Sequence, residues 1–441
     1  MFTKANLGLV FFPAFDWAIS PTHPERQERL LYTRDQIVEE GLFDLPEIRE
    51  YKPKLAAIAD LERVHIGVPG IASLITDAHL VSAGGAIAAA DAVLQRQVKR
   101  SFALVRPPGH HAMRVVHGTR GFCTVNIEAI MAEYLRHTYG LQKIAIVDTD
   151  VHHGDGTQDI FYHDPDTLFI SFHQDGRTLY PGTGFMEEMG SPNAFGSTIN
   201  IPLPPGTGDE GLHYVLDNLI LPMLADFEPE VIVNSAGQDN HFSDPLANMS
   251  ITAQGYAKLA DKLKADIAVL EGGYSIEDAL PYVNTGIILA MAGLDYSRVI
   301  EPDKGRNAPR QTEQTTAYIR KQVAEWQQVW AVRDEMKQRE IKKSGDSWQR
   351  KRSIYYDDSG IREQQQEKIR ICPKCYGYQT VATQAEGTGF GCQSAYAAII
   401  PRQACSACRR EAKDALAAAK RAAQYQYYFL QDKEQSILEE I

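Results

Sequence analysis

The chain has 441 residues, of which 44% are hydrophobic and 23% are charged. This size and composition allow a large buried core and exclude a chain that is disordered throughout. The net charge of −12 divides into −17 over residues 1–300 and +5 over residues 301–441. Such an acidic first part argues against binding to a nucleic-acid backbone and favours cationic substrates or basic partner segments.

The first apolar run of the chain, Leu7–Phe15, contains Pro13 and is followed by Asp16. It lacks a basic flank and a small-residue cleavage site, so it predicts a buried strand rather than a signal peptide. No apolar run approaches the roughly 18 residues of a membrane-spanning helix. Without a secretion signal, and with two C-x-x-C pairs among six cysteines, the protein is expected in the reducing cytoplasm.

Apolar runs without polar alternation continue along residues 1–300, and they predict strands that are buried on both faces. The predicted strands are Leu7–Phe12, Ser101–Val105, Lys143–Asp148, Thr167–Phe172, Val231–Asn234 and Ile267–Leu270. The predicted helices between them include Ser82–Arg100, Ile127–His137, Gly211–Phe227 and Thr252–Ala265. Alternation of strands and helices predicts an α/β fold with a doubly wound, mostly parallel sheet.

The character of the sequence changes near residue 300. Glu301–Arg310 is interpreted as a polar linker, Gln311–Lys343 as a charged helix, Ser344–Gly360 as a loop, and Glu411–Leu430 as an Ala-rich helix that closes the chain. The predicted division therefore has three parts, which are residues 1–300, residues 301–360 and residues 361–441.

Four segments with reactive side chains each follow one of the predicted strands. They are Arg106–His111, Asp148–Asp155, Ser235–Asp239 and Glu271–Tyr274. In an open parallel sheet, the loops beyond the carboxyl ends of the strands build the functional site. We therefore expect these four segments to converge.

Asp150 and His152 are two residues apart, so on an extended backbone their side chains face the same side. Asp239, from another strand end, is the third candidate ligand of one metal ion. Two carboxylates and one imidazole leave a coordination position open, as a catalytic zinc ion requires. Alone, an Asp-x-His pattern would more often be a solvated strand end, but the two neighbouring His-His pairs favour a metal site.

His110 and His111 follow a stiff Pro-Pro-Gly turn, and a neutral imidazole beside a metal-bound water is a suitable general base. Each imidazole needs a partner that fixes its tautomer, and Asp148 and Asp155 are available for this role. Tyr274 follows two glycines, and its phenol is a candidate donor to a developing oxyanion.

These motifs, in this order and spacing, resemble the zinc-dependent histone deacetylase family over roughly residues 5–300. The ending Leu270–Tyr274 is similar to the class II branch and to its bacterial acetoin-utilisation-like relatives. Further matching segments are His23–Arg26, Gly121–Cys123, Tyr180–Gly184 and Asp244–Leu246. The resemblance implies the arginase/deacetylase fold, with about eight strands flanked by helices. It also implies hydrolysis of the amide bond of an acetylated or otherwise acylated lysine, in a protein or peptide.

The resemblance implies a role for each residue of this set. Asp150, His152 and Asp239 would bind the catalytic zinc, His111 would be the general base and acid, and His110 its electrostatic neighbour. Asp148 would orient His110, Asp155 would orient His111, and Tyr274 would hydrogen-bond the substrate carbonyl. The substrate-binding residues would be Gly121, Phe122, Tyr180, Leu246 and Gly273, and Arg29 would guide the acetate product out. A potassium ion is also implied, at Asp148, Asp150, His152, Ser171 and Phe172.

This sequence departs from the family pattern in two places. The family usually has an aromatic residue and an asparagine at the positions of Val125 and Ile127. The stretch Val64–Ala83 is short where relatives often carry a long loop with an aspartate that binds the substrate backbone. No residue of the sequence is identified as that aspartate, so the grip on the substrate is expected to differ or to need a partner subunit.

The C-terminal part contains two C-x-x-C pairs, Cys372 with Cys375 and Cys405 with Cys408. Such pairs predict a structural zinc site with four cysteine ligands, similar to a zinc ribbon. A redox pair is the alternative interpretation. Cys392 lies between the two pairs and is either a substitute ligand or a buried thiol. The segment is outside the deacetylase resemblance, and its expected role is partner or substrate recruitment, or homo-oligomerisation.

Three other functions remain open from the sequence. The first is deacetylation of an acetylpolyamine or another small acylated amine, although polyamine-selective relatives have an acidic residue where this chain has Leu246. The second is an arginase-like ureohydrolase, which would need two manganese ions and more bridging aspartates. The third is a non-catalytic zinc-binding scaffold, with the cysteine segment as its functional part.

Overall fold

The structure is a computed structural model that describes residues 5–302, 310–387, 389 and 391–441. Most of the predicted linker, residues 303–309, lies outside the described residues. No helix of the described part has both the length and the apolarity that a membrane span requires.

Ten strands lie in the described part of the first 300 residues, which begins at residue 5. They are β1 (Leu7–Phe12), β2 (Ile48–Tyr51), β3 (Ile66–Gly67), β4 (Arg100–Val105), β5 (Val115–Val116), β6 (Ile144–Asp148), β7 (Thr167–Gln174), β8 (Thr198–Leu203), β9 (Val231–Ala236) and β10 (Ile267–Leu270). Eight of them form a sheet in the order β2-β1-β4-β10-β9-β6-β7-β8, in which every pair is parallel. β3 and β5 form a separate short parallel pair.

Helices cover both faces of this sheet, so its apolar strands are buried between two hydrophobic clusters. They are α1 (Glu28–Glu39), α2 (Ile58–Glu62), α3 (Asp77–Leu94), α4 (Ile127–Tyr139), α5 (Asp155–Phe161), α6 (Asp209–Val215), α7 (Leu221–Phe227), α8 (Ala253–Leu263) and α9 (Leu280–Ala292). A π-helical turn, Leu216–Ile220, joins α6 to α7. The α/β class and the parallel, doubly wound sheet of about eight strands are confirmed.

The C-terminal part contains a second sheet, which the sequence did not predict. After α10 (Glu313–Ala331) and α11 (Arg333–Ser344) come β11 (Ser347–Tyr356), β12 (Ile361–Arg370), β13 (Gln379–Gly387), β14 (Gly391–Ile400), α12 (Ser406–Ala422), β15 (Tyr427–Asp432) and β16 (Ile437–Glu440). The six strands pair in chain order, and β14 and β15 are parallel whereas the other neighbours are antiparallel.

Three expectations for this part were wrong. The predicted loop Ser344–Gly360 contains β11, the predicted helix Gln311–Lys343 is two helices separated at Val332, and the closing helix begins at Ser406 and ends at Ala422. β12 was not predicted either, and the physical reason is that its inward face is largely polar. Glu363 and Glu367 are buried there and are hydrogen-bonded by Tyr356 and Arg350, so no apolar alternation is visible in the sequence.

The second sheet packs on the body through two apolar contacts. Ile66, Val68 and Val115 of the body share a buried cluster with side chains of β13, β14 and β15. Met113 packs with Ile354 and Tyr356, at the end of β11. These contacts bring the turn between β11 and β12 to the carboxyl edge of the main sheet.

Candidate functional site

The four reactive segments follow β4, β10, β9 and β6, which are four consecutive neighbours in the main sheet. All these strands are parallel, so their carboxyl ends lie at one edge and the segments meet there. The convergence expected from the sequence therefore follows directly from the strand order.

Asp150, His152 and Asp239 come together at the centre of this edge. Their potential ligand atoms all lie within 4.8 Å of one another. His152 Nδ1 is 3.1 Å from Asp150 Oδ1 and 3.1 Å from Asp239 Oδ2. Both carboxylates are fully buried, so the constellation is preformed and shielded from bulk water.

The donor set fits a divalent cation. Burial, and next the carboxylate of Asp150, raise the pKa of Asp239 to about 6, because two carboxylates that face each other in a buried site disfavour a second negative charge. A cation between them would remove this penalty. Two oxygen donors and one imidazole nitrogen, with the pocket beside them, are the donors of a catalytic zinc site with an open position.

Gly272 makes room for this constellation. Its N–H donates to Asp150 Oδ2 at 2.7 Å. A Cβ atom at this position would lie 2.1 Å from Asp239 Oδ2 and 2.6 Å from Asp150 Oδ2. Any side chain here would therefore displace the two carboxylates.

The two adjacent histidines each contact one aspartate. His110 Nδ1 lies 3.1 Å from Asp148 Oδ2, and His111 Nδ1 lies 2.8 Å from Asp155 Oδ1. Burial and the nearby His110 lower the pKa of His111 to about 3, which keeps its imidazole neutral. Although burial opposes a charge on His110, the carboxylates of Asp150 and Asp148 raise its pKa to about 10. The pair thus combines a neutral imidazole with a cationic one.

Tyr274 is fixed through its own backbone. Its N–H donates to Asp244 Oδ2 at 2.7 Å, and its ring stacks with the guanidinium of Arg29 at 4.9 Å. Burial raises the pKa of the Tyr274 phenol well above its ordinary value. The phenol therefore stays protonated and can donate a hydrogen bond.

Arg29 lies behind this loop and is completely buried. It donates to the backbone oxygens of Gly273 at 2.7 Å and of Glu271 at 2.5 Å, and it forms a salt bridge with Glu25 at 3.0 Å. Its contacts in the structure therefore hold the loop in place, and a role in product exit stays a prediction.

A cavity of about 250 Å³ opens beside the constellation. Its lining residues are Pro108, His110, His111, Gly121, Phe122, His152, Leu179, Tyr180, Leu246, Gly272, Tyr274 and Asp357. Four of the predicted substrate-binding residues line it, and the fifth, Gly273, is adjacent to Gly272. Gly121 and Phe122 both have a positive φ, +52° and +68°, which turns the chain so that Phe122 reaches the wall.

The residues that the resemblance implies for a potassium ion also lie together. Asp148 on β6 is in register with Ser171 on β7, and Phe172 follows on β7. The hydroxyl of Ser171 is hydrogen-bonded to His173 Nδ1 at 2.8 Å. Occupation of this place by potassium stays a prediction.

Sequence reasoning missed the contribution of the turn between β11 and β12. Asp357 Oδ1 accepts hydrogen bonds from the backbone N–H of Gly121 at 3.0 Å and from the hydroxyl of Tyr180 at 3.3 Å. Asp358 accepts from the N–H of Phe122 at 2.7 Å, and Ser359 accepts from Thr119 at 2.9 Å. These residues could not be predicted from the sequence as part of the site, because they lie some 236 positions after Gly121, in a stretch interpreted as a loop.

Arg120 was missed as well. Its guanidinium donates to Asp155 Oδ2 at 2.6 Å and to the carbonyl of Tyr355. Asp155 in turn contacts His111, so a chain of contacts connects the second sheet to His111. An arginine directly before Gly121 is the only signal of this in the sequence.

The four cysteines of the C-x-x-C pairs also come together, with their Sγ atoms within 4.8 Å of one another. Cys372 and Cys375 accept backbone N–H groups from Lys374 at 3.4 Å and from Gly377 at 3.3 Å, and Cys405 immediately precedes α12. Cys392 lies apart on β14 and is exposed. The set fits a tetrahedral zinc ion, and Cys392 is outside it.

Comparisons with known proteins complete the description. The histone deacetylase domain, as a protein family, matches residues 71–291. A protein of Archaeoglobus fulgidus named "Probable deacetylase" is 48% identical over 311 residues, which are 64% of this chain and 85% of that protein. A "Histone deacetylase-like amidohydrolase" of Pseudomonas aeruginosa is 32% identical over 313 residues, which are 64% of this chain and 81% of that protein. The crystal structure of the HDA15 HD domain is similar with a TM-score of 0.64 and 26% identity, over 76% of this chain and 99% of that chain.

Proposed function

Since this chain belongs to the histone deacetylase family, we propose that it is a zinc-dependent amidohydrolase that removes acetyl or other acyl groups from lysine side chains or related amines. The observation that carries the proposal is that Asp150, His152 and Asp239 share one pocket with two aspartate-bound histidines and a protonated tyrosine. These are the groups that metal-assisted amide hydrolysis requires.

Asp150, His152 and Asp239 would hold the zinc ion, which when bound polarises the amide carbonyl and acidifies a water molecule. His111 is neutral and is held at Nδ1 by Asp155, so its Nε2 is free to accept the proton of the attacking water. The same nitrogen would later donate a proton to the leaving amine. Tyr274 would donate its phenolic hydrogen to the oxygen that gains negative charge.

The pocket walls suit an acyl group on a long aliphatic stem. The Phe122 ring lies against Tyr274 with centroids 5.8 Å apart, and the Tyr180 ring lies against His111 at 5.2 Å. Leu179 and Leu246 add apolar surface to the lining. Methylene groups would be desolvated between these side chains while the amide reaches the catalytic residues.

Asp357 favours a second candidate within the same chemistry, the deacetylation of a small acylated amine such as an acetylpolyamine. Its carboxylate is the one acidic group among the described lining residues that belongs to neither the metal constellation nor the histidine pairs. A substrate with a second ammonium group would be attracted to it.

The four-cysteine cluster is proposed to hold a structural zinc ion, which would join the segment after β12 to the start of α12. The contacts within the cluster are between residues of the second sheet region alone. We therefore keep residues 1–300 as the catalytic domain and assign the cysteine segment a role in the stability of the C-terminal region.

The decisive experiment is an assay of the full chain with acetyl-lysine peptides, longer acyl-lysine peptides and acetylspermidine, with a hydroxamate as inhibitor control. Metal analysis of the same sample is expected to give two zinc ions per chain. Turnover of at least one acylated amine, blocked by the hydroxamate, supports the proposal. A folded, zinc-loaded chain without turnover on the whole panel would favour the scaffold, and two manganese ions in the catalytic domain would favour a ureohydrolase.

A further inference from the structure

A second cavity lies where the C-terminal sheet meets the body, lined by residues other than those of the catalytic pocket. Its volume is about 50 Å³. A cavity of roughly 10–15 Å³ is enough for one water molecule, so this cavity is several times larger. The charged residues that line it are Arg114, Arg136, Asp164 and Asp166 from the body, and Arg402 and Lys433 from the C-terminal region. We call it the junction cavity.

The ammonium group of Lys433 has few negative groups beside it to balance its charge. Its side chain is 8% exposed, and among the described residues the one carboxylate within 4 Å of its Nζ is Glu133, at 3.7 Å. The same oxygen of Glu133 also accepts from Arg136 at 3.2 Å, and the other oxygen is bound by Arg402. A single carboxylate is therefore shared by three cations.

Arg114 lacks a carboxylate partner within the described residues. It is 4% exposed, and its guanidinium forms no salt bridge with a carboxylate of the described residues. Its Nη2 donates to the backbone oxygens of Asp159 and Ile160, and its Nε has no hydrogen-bond partner. Buried donors in folded proteins are nearly always paired, so within the described residues the Nε of Arg114 lacks an acceptor.

The remaining acids near the cavity are already engaged. Asp164 binds Arg136 at 2.5 Å, and Asp166 contacts the Tyr376 hydroxyl at 3.4 Å. Burial, followed by the nearby Arg114 and Arg402, lowers the pKa of Lys433 well below its ordinary value, and burial lowers the pKa of Arg402 to about 10. Burial and the neighbouring cations therefore disfavour the charged forms of these groups, and an added negative charge in the cavity would favour them.

We propose that the junction cavity binds one oxyanion of the size of inorganic phosphate, held by Lys433, Arg114 and Arg402. Guanidinium and ammonium groups are the side chains that recognise phosphate oxygens, through charge-assisted hydrogen bonds. The anion would supply the missing acceptor and the missing negative charge at once. Because Arg114 belongs to the body and the other two residues to the C-terminal region, the bound anion would also stabilise the packing of the second sheet against the body.

The test is thermal unfolding of the full chain in increasing inorganic phosphate, compared with chloride at equal ionic strength. A ligand that binds only the folded state raises Tm with concentration, so we expect a saturating rise of several degrees in phosphate and in sulfate but not in chloride. A phosphate monoester, glycerol 3-phosphate, is the second arm. A larger rise with the monoester would identify an esterified phosphate as the preferred source of the same group.

Two variants assign the effect to the cavity. Lys433→Met is expected to be at least as stable as the wild type in chloride, because it removes a buried ammonium with little compensation, and to lose most of the rise in phosphate. Arg402→Met, at a more exposed guanidinium, is expected to weaken the rise in the same way. Lys413→Met removes an exposed lysine of α12 and should leave the response unchanged. An equal Tm in phosphate and chloride, or an undiminished rise in both cavity variants, would overturn the proposal.

Discussion

Asp357 Oδ1, in the turn between β11 and β12, accepts a 3.0 Å hydrogen bond from the backbone N–H of Gly121, at the wall of the candidate pocket. The two residues are 236 positions apart. The second sheet therefore contributes to the wall of this pocket. It supplies an aspartate to a rim where no aspartate was identified from the sequence.

Asp357→Asn keeps an oxygen for the Gly121 N–H but removes the negative charge from the pocket. If that charge binds an ammonium group of the substrate, we expect KM for acetylspermidine to rise about 10- to 100-fold, since a charge-assisted hydrogen bond contributes about 1.5–3 kcal/mol. KM for an uncharged acyl-lysine substrate should change little. The exposed Asp334 of α11 provides Asp334→Asn as the charge-matched control. Equal changes for both substrates would assign Asp357 a structural role only.

Arg120→Met removes the link between the Tyr355 carbonyl and Asp155. Asp155 would then hold the His111 ring less firmly, and kcat is expected to fall about 10- to 100-fold, as is typical when a supporting partner of a catalytic group is lost. KM and zinc content should stay near the wild-type values. Arg177→Met, at an arginine whose side chain is 66% exposed, is the control. An unchanged kcat would show that His111 is positioned without this chain of contacts.

Tyr274→Phe removes a single hydroxyl group from the pocket. We expect kcat to fall by about 10²–10³, the usual effect of losing one oxyanion donor, while the zinc content stays the same. Tyr214→Phe, on α6, serves as the control for loss of a phenol. Near-wild-type hydrolysis by Tyr274→Phe would refute the role proposed for this tyrosine.

Gly272→Ala places a Cβ atom 2.1 Å from Asp239 Oδ2. Because the added Cβ atom would displace the carboxylates of Asp239 and Asp150, we expect loss of the catalytic zinc and of activity, measured by metal analysis and turnover. Zinc in the cysteine cluster should remain, so one zinc ion per chain is the expected result. Gly70→Ala, where an added Cβ meets nothing within 4 Å, should retain both ions. Full zinc content in Gly272→Ala would show that the metal site does not need this close approach.

Cys405→Ser is expected to lower the zinc content by one ion per chain and to lower Tm, because a structural zinc ion contributes directly to folding free energy. The chain offers a matched control in Cys392, which is exposed and lies outside the cluster. Cys392→Ser should change neither quantity. If both variants bind as much zinc as the wild type, the cluster is not a zinc site.

Six of the eight strands of the main sheet were predictable because they are largely buried on both faces and therefore consist mostly of apolar residues. Leu7–Phe12 and Ile267–Leu270 have the bounds that the sequence predicts. β2 was missed, since it has only four residues and two of them are exposed arginine and glutamate. β12 was missed for a different reason, because its buried face is held by hydrogen bonds and ion pairs rather than by apolar contacts.

The residues of the candidate site also divide into those that the sequence predicted and those that it did not. The reactive residues of the main sheet could be found because each follows an apolar strand, and parallel strands bring their carboxyl ends to one edge. Arg120 and Asp357 could not be found, because the local sequence around each residue carries no information about the segment that it contacts. Their relationship depends on how the second sheet packs against Met113 and Val115.

The sequence by itself determined the α/β class, the family and the order of the reactive loops, since these follow from local apolar runs and short motifs. Only the tertiary structure decided that a second sheet lines the pocket through Asp357 and that its junction with the body gathers the basic side chains of Arg114, Arg136, Arg402 and Lys433. The reason is that packing between distant segments depends on side-chain geometry in three dimensions. Local patterns along the chain do not contain that geometry.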